Sequence, residues 1–311
     1  MLKGRIGLWI VMLVVTMLVS WLIPIVPGWF ESKALHVNID VSTDDDFAQV
    51  LANQKVNKIV PTLTNDNPTV IITDKEEKIE GYTKYDNYLF SPIVAWACGV
   101  YQNETGFIKV PQVSNTFKLD LYTVLCAIED GKKWEDFGFR KSVINGPVTL
   151  YLPATHCSYY DSVVELFLLT LNDGKIPTET EREALMPRVS EIITKCHHVP
   201  DIAQAIKDEY DHPSDTHKIF IGPEYLYQRG NGSSIGYGNE YTKQYRPVYF
   251  FDTVIIEADV FVKDESEQVE LANKFVSNMK TEKAFIDQTG WRVKNIEFDI
   301  WSISYIYYKN P

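Results

Sequence analysis

Two patterns of hydrophobic and polar positions alternate along the chain. Short apolar or β-branched runs are typical of strands, and stretches with apolar residues every three or four positions are typical of amphipathic helices. Strands are predicted at 35–41, 58–61, 69–73, 88–98, 148–152, 218–221 and 247–256. Helices are predicted after residue 43, at 117–128, 159–171, 179–195 and 201–210, and from residue 271. This alternation predicts an α/β fold with largely parallel sheets.

One apolar run near the amino terminus is too long for a strand. Residues 6–30 carry no charge, and such a run is long enough to cross a bilayer core of roughly 30 Å. Lys3 and Arg5 precede it, which predicts a cytoplasmic amino terminus and an extracellular body. We expect residues 1–34 to be a cytoplasmic stub and an uncleaved transmembrane anchor in the cell membrane. A cleaved signal peptide and a buried helix are the alternatives.

Net charge limits the class of partner. The formal charge is −12, and no cluster of Lys and Arg is visible, which argues against a nucleic-acid partner because phosphates are bound by such clusters. The composition is 45% hydrophobic, so most of the chain is expected to fold.

The four cysteines fit an extracellular body, where disulfides persist. Cys157 and Cys196 stand out because His156, His197 and His198 flank them. We expect a disulfide between the two cysteines, and two free thiols or a zinc site are the alternatives. Their spacing matches no recognised metal motif, so no metal is predicted. Cys98 and Cys126 are predicted to be core residues.

The order of several segments resembles extracellular solute-binding proteins of the type II periplasmic-binding fold. These segments are SPIVAW, DGKKWEDFG, GPVTLYLPATHCSYYDSVVEL, IFIGPEYLY and the stretch 247–292, which ends in TGWR. In that family a strand returns through a hinge and is followed by a polar turn, a helix, a short helix and Gly-aromatic-Arg. Residues 271–292 reproduce this closing pattern, with Gly290 suited to a helix C-cap at positive φ.

The resemblance implies two α/β lobes joined by crossing strands, with the ligand held between them. Lobe one would be 35–90 plus 247–295, lobe two 91–246, and 296–311 a C-terminal extension. The alternation between residues 296 and 306 suggests that the extension adds a strand.

Candidate ligand residues follow from the same mapping, because ligands of open α/β sheets bind beyond the carboxyl ends of strands. The matching positions are Ser42, Thr43, Ser91, Thr155, Ser158, Glu224 and Tyr225. For the hydroxyl residues, helix capping or turn formation is the alternative, and Ser158 in particular is predicted to cap a helix. Glu224 could instead face solvent or pair with a lysine, and Tyr225 could pack between the lobes.

The sequence offers no convincing catalytic group. The glycine-rich stretch 230–236 lacks the strand and helix of a phosphate loop, and no G-x-S-x-G elbow is present. We therefore expect a non-enzyme without a cofactor. The resemblance implies capture of a small polar solute, which would be passed to an ABC-type permease in the membrane. The alternative is an ectodomain of the same fold with a degenerate cleft, which senses or binds another envelope protein.

Overall fold

A computed structural model describes residues 33–53, 56, 58–75, 78–85, 89–98, 107–109, 117–137, 146–211, 218–226, 247–281, 289–293 and 304–307. The apolar run predicted to be a membrane anchor lies outside these residues. Within them, no helix has both the length and the apolar character that crossing a bilayer requires.

Six α-helices are described, together with a 3-10 turn at Trp134–Phe137. They are α1 Phe47–Ala52, α2 Leu121–Glu129, α3 Tyr160–Leu171, α4 Glu179–Thr194, α5 Ile202–Asp211 and α6 Val269–Thr281. The strands are β1 Lys33–Asp40, β2 Ile59–Leu63, β3 Val70–Thr73, β4 Tyr82–Lys84, β5 Leu89–Cys98, β6 Phe107–Lys109, β7 Phe117–Leu119, β8 Tyr151–Pro153, β9 His197–Val199, β10 Lys218–Pro223, β11 Pro247–Phe250, β12 Asp252–Lys263, β13 Arg292–Val293 and β14 Ser304–Tyr307. The predicted α/β class is confirmed, but the prediction of largely parallel sheets was wrong, because seven of the thirteen described strand pairings are antiparallel.

The strands form two halves with the same order. In the first half β2, β1 and β3 are parallel neighbours, and β12 runs antiparallel beside β3. In the second half β9, β8 and β10 are parallel neighbours, and β5 runs antiparallel beside β10. The last strand in each order is distant in sequence from the other three: β12 comes long after β3, and β5 comes before β8. This repeated pattern places the carboxyl ends of β1 and β8 in equivalent positions.

Two long antiparallel strands connect the halves. Residues 89–92 of β5 pair with β12, whereas residues 93–98 of the same strand pair with β10. Strand β11 also pairs with β5 at Trp96, on the second-half side. The pairing partner of β5 therefore changes between Pro92 and Ile93. The lobe boundaries assigned from the sequence stay a prediction.

The C-terminal extension contributes a strand, as the alternation predicted. Strand β14 pairs in parallel with the start of β12, so that Asp252 lies beside Ser304 and Ile255 beside Tyr307. Residues 255–258 of β12 pair with β5. Near its beginning, β12 therefore has two neighbouring strands, β14 and β5.

Two predicted elements were wrong in their limits. The helix predicted at 117–128 begins only at Leu121, because residues 117–119 form β7 and pair with β11. Asp120 then caps the helix by accepting a hydrogen bond from the Thr123 backbone N–H at 3.2 Å. The single strand predicted at 247–256 is two strands, β11 and β12, which pair with different parts of β5 and also with β7 and β3, respectively.

Candidate functional site

Segments from both halves meet at one contact surface, which we call the seam. It consists of residues 42–44 after β1, Ser91 in β5, residues 158–159 after β8, residues 224–225 after β10 and residues 290–292. The first and last of these segments belong to the first half, and those after β8 and β10 belong to the second half.

The loop after β1 is fixed by a carboxylate of its own half. Asp74, which follows β3, accepts hydrogen bonds from the Ser42 backbone N–H at 3.0 Å and from its hydroxyl at 2.9 Å. It also accepts from the Thr43 N–H and hydroxyl, both at 3.1 Å. The expectation that Ser42 or Thr43 caps α1 was wrong, because these hydroxyls are engaged by Asp74 and the N-cap residue is Asp46.

The backbone carbonyl of Thr43 receives two donors from the second half. The Ser158 hydroxyl donates to it at 3.1 Å and the Tyr225 hydroxyl donates at 2.6 Å. Ser158 was predicted to cap α3, but the N-cap residue is Tyr159, so the Ser158 side chain reaches across the seam instead. The backbone N–H of Tyr225 donates to the Ser91 hydroxyl at 2.9 Å.

Aromatic rings fill the space behind these hydrogen bonds. Tyr225 stacks on Trp291 with ring centroids 5.4 Å apart and an angle of 10° between the planes. Tyr159 meets Tyr225 edge-on at 6.4 Å, and Phe47 contacts the other ring, Trp291, at 5.5 Å. The Trp291 indole N–H donates to Asp44 at 2.7 Å, which fixes the ring in the first half. Burial raises the pKa of Tyr159, so its hydroxyl stays protonated at neutral pH.

Glu224 is the charged centre of the seam. Its carboxylate is fully buried and accepts hydrogen bonds from Arg292 at 2.5 and 2.6 Å and from the Tyr249 hydroxyl at 2.5 Å. The alternative expectations of a solvent-facing side chain or a lysine partner were wrong. The partner is Arg292, whose guanidinium donates one N–H to each of the two carboxylate oxygens in a bidentate ion pair.

The seam brings together six of the seven predicted ligand residues: Ser42, Thr43, Ser91, Ser158, Glu224 and Tyr225. The seventh, Thr155, is exposed in the loop after β8. Whether any of the seven contacts a ligand stays a prediction.

Five seam residues were not among the predicted ligand residues, namely Asp44, Tyr159, Gly290, Trp291 and Arg292, and neither was Asp74, which holds the loop after β1. The position of Asp74 directly after β3 is the same signal that selected Ser42 and Thr43 after β1, and could have found it. Trp291 and Arg292 were assigned to the packing of the first lobe only.

The expected disulfide between Cys157 and Cys196 is wrong. Both are free thiols, and each donates to a backbone carbonyl, Cys157 to Pro200 and Cys196 to Ile192, both at 3.3 Å. The reason is the parallel pairing of β8 with β9: Cys196 precedes the start of β9, whereas Cys157 follows the end of β8. The two cysteines therefore lie at opposite ends of the strand pair.

Cys157 and Cys196 are also poorly suited to chemistry that needs a thiolate. Burial raises the pKa of Cys157 and raises that of Cys196 to about 11, so both thiols are protonated at neutral pH. Within the described part of the chain, no group of three or more His, Cys, Asp or Glu side chains is placed to hold a metal ion.

A cavity of about 190 Å³ lies away from the seam, at the start of β12. None of the predicted ligand residues lines it. The lining comes from β7, α2, the end of α3 and the β11–β12 junction: Leu119, Asp120, Leu121, Tyr122, Thr170, Asp173, Gly174, Phe250, Phe251 and Asp252.

Comparison with known proteins finds no matching family model and no matching curated protein. Solved structures similar to this chain include the sulfate-binding protein SubI from Mycobacterium tuberculosis, with 11% identity, 85% of this chain and 88% of that chain covered and a TM-score of 0.42. A GABA receptor has 12% identity, coverage of 89% and 91% and a TM-score of 0.44. An OxyR mutant from Corynebacterium glutamicum has 10% identity, coverage of 93% and 77% and a TM-score of 0.39. All three TM-scores are below 0.5, so these similarities assign no function to the chain.

Proposed function

We propose that this chain is a membrane-anchored, extracellular binding protein that captures a small polar ligand at the seam between its two halves. The observation that carries the proposal is the meeting of strand-end loops from both halves around the Thr43 carbonyl. A ligand held at this position would be contacted by both halves at once. Its binding would therefore couple to a change in how far the halves are separated.

The groups of the seam favour a polar ligand. Ser42, Thr43 and Ser158 provide hydroxyls, and the loop after β1 provides backbone N–H groups that already hold a carboxylate, that of Asp74. Such groups orient a ligand by hydrogen bonds without leaving an unpaired charge buried. The aromatic rings of Tyr225 and Trp291 would exclude water from the bound ligand.

The place of action is proposed from the amino-terminal sequence. The uncharged run at residues 6–30, preceded by Lys3 and Arg5, would hold the protein to the membrane with its body outside. A solute captured there would be passed to an ABC-type permease. Cell fractionation tests the anchor, because a body recovered in soluble form without residues 1–30 would contradict it.

A second candidate function is an ectodomain that senses or binds an envelope protein through its outer surface. The specific observation in its favour is that the seam groups are engaged with one another. Ser91, Glu224 and Tyr225 are buried, and each makes hydrogen bonds within the chain. In this case the halves would stay closed and the seam would be a structural joint.

Thermal unfolding of the full-length chain in detergent micelles separates the two candidates. A panel of oxyanions, amino acids and sugars is added one compound at a time, because a compound that binds only the native state at about 100 times its Kd stabilises it by about 2.7 kcal/mol. Solute capture predicts at least one compound that raises the melting temperature. No shift with any compound supports the ectodomain instead.

Two variants then locate the site of the compound that is found. Thr43→Ala and Ser158→Ala should reduce the shift, because each removes a hydroxyl at the seam. The matched control is Thr194→Ala at the end of α4, an exposed hydroxyl that bonds only within its own helix turn. Equal shifts in all three variants and the unchanged chain would contradict the seam as the binding site.

A further inference from the structure

Three consecutive residues of the first half contact two consecutive residues of the second half. Arg292 binds the Glu224 carboxylate, and Trp291 stacks on Tyr225. Gly290 lies so close that a Cβ atom built on it would be 2.2 Å from the Tyr225 carbonyl oxygen. The segment 290–292 therefore follows the backbone of 224–225 at van der Waals distance, with no room for a side chain at its first position.

The two segments are anchored in different halves. Arg292 starts β13, which pairs with residues 89–90 of β5, the part of β5 that also pairs with β12. Glu224 follows β10, and its other partner, Tyr249, lies in β11, which pairs with residues 95–96 of β5. An increase in the separation of the halves must therefore break the ion pair, the ring stack and the glycine contact together.

We propose that residues 290–292 and 224–225 form a latch that holds the two halves closed in the absence of ligand. The entry of a ligand into the seam would require this latch to release. The part of the inference that concerns ligand entry rests on the proposed function, whereas the closed state of the free protein does not.

The chemistry of the ion pair suits a contact that opens and closes. Attraction between two buried charges is largely offset by their lost hydration, so separating them into water costs less than their short distances suggest. Removal of one partner is different, because the other charge would then be buried without compensation. A variant that lacks the arginine should therefore favour the open state, in which water reaches Glu224.

Hydrogen–deuterium exchange of the full-length chain without ligand tests the latch. In Arg292→Gln the amides of residues 42–44 and 224–225 should exchange at least about tenfold faster than in the unchanged chain, because local opening exposes them. Amides in β1 and α3 should keep their protection. Arg292→Lys retains the positive charge but not the bidentate contact, so it should give a smaller increase in the exchange rate of the same amides. This second variant keeps the test valid if Arg292→Gln does not fold.

The matched control is Arg182→Gln. Arg182 also makes a two-pronged ion pair, with Glu165, and its side chain is 25% exposed, the same fraction as that of Arg292. This pair joins α4 to α3 within the second half, so its loss should leave exchange at the seam unchanged. The latch proposal is overturned if the seam amides of Arg292→Gln exchange at the same rate as those of the unchanged chain. It is also overturned if their exchange rate rises equally in Arg182→Gln.

The outcomes are distinguishable from failure of the proposed function. If seam exchange rises in Arg292→Gln but no compound stabilises the protein, the latch stands and ligand capture fails. If a compound stabilises the protein through Thr43 and Ser158 but seam exchange in Arg292→Gln is unchanged, ligand capture stands and the latch fails.

Discussion

The loop after β1 and the loop after β8 occupy equivalent positions in the two halves but contribute differently to the seam. In the first half, Asp74 accepts hydrogen bonds that fix the loop, and the Thr43 carbonyl of this loop acts as an acceptor. In the second half, Ser158 donates a hydrogen bond, while Thr155 is exposed. At the Thr43 carbonyl the first half thus provides a preformed surface, and the second half provides the two donors that reach it, the hydroxyls of Ser158 and Tyr225.

This difference predicts where substitutions should be most costly. Changes to the preformed surface of the first half should cost much of the stability, because its rings and backbone support several contacts at once. Changes to single donors of the second half should cost little, because each removes one hydrogen bond.

Trp291→Ala should have the largest effect. The ring is fully buried between Phe47 and Tyr225, so its truncation should lower the free energy of unfolding by about 4 kcal/mol. Urea denaturation of the full-length chain measures this quantity. A loss below about 1.5 kcal/mol, well short of the usual cost of truncating a buried tryptophan, would mean that the first-half surface is not a packed support.

Gly290→Ala should follow, at about 3 kcal/mol, because a left-handed backbone costs a non-glycine residue about 1–2 kcal/mol and the new Cβ must also displace the Tyr225 backbone. Gly131→Ala is the matched control, since Gly131 has φ of +65° against +78° for Gly290 and no atom within 4 Å of its Cβ position. The control should lose only about 1 kcal/mol, the conformational part. Equal losses in the two variants would contradict the close contact across the seam.

Tyr225→Phe should cost about 1 kcal/mol, because it removes one buried hydrogen bond and keeps the stacked ring. Tyr82→Phe is a chemically matched control, since the Tyr82 hydroxyl also donates to a backbone carbonyl, that of Pro68, at 2.6 Å. Tyr82 is half-buried, so its loss should be smaller. Urea denaturation compares the two, and the reverse order would show that the Tyr225 hydroxyl does not support the seam.

Ser158→Ala should have the smallest effect, about 0.5 kcal/mol, because the serine is half-buried and the Thr43 carbonyl keeps Tyr225 as a donor. In the same denaturation assay, a loss above about 2 kcal/mol would exceed the usual value of one hydrogen bond. Such a result would place a main support of the seam in the second half and reverse the comparison.

The sequence predicted several strands well and the partners of the side chains that follow them poorly. Apolar runs fix a strand because burial is a property of the run itself, and β1, β3, β5 and β10 lie close to their predicted limits. Four of the five hydroxyl residues that were predicted as ligand groups, Ser42, Thr43, Ser91 and Ser158, lie together at the seam, whereas Thr155 does not. The prediction that such hydroxyls cap helices was wrong, because they donate instead to acceptors at distant positions in the chain, Ser42 to Asp74 and Ser158 to the Thr43 carbonyl.

The errors share one physical cause, which is contact between residues far apart in sequence. The pairing of residues 117–119 with β11 shortened a predicted helix, and the parallel pairing of β8 with β9 separated Cys157 from Cys196. Gly290 was expected at positive φ for a helix end, and its φ of +78° agrees. The contact of this glycine with Tyr225 depends on a neighbour 65 residues earlier in the chain, which no local pattern reveals.

A double-mutant cycle between Glu224 and Arg292 tests most directly the claim that the two halves meet in one seam. The free energy of unfolding is measured for the unchanged chain, Glu224→Gln, Arg292→Gln and the double variant. Direct contact predicts a coupling energy of about 2 kcal/mol, because Arg292→Gln leaves the fully buried Glu224 carboxylate without its charged partner, and Glu224→Gln does the same to the partly buried guanidinium. Additive effects within about 0.5 kcal/mol, as for distant independent sites, would contradict the account.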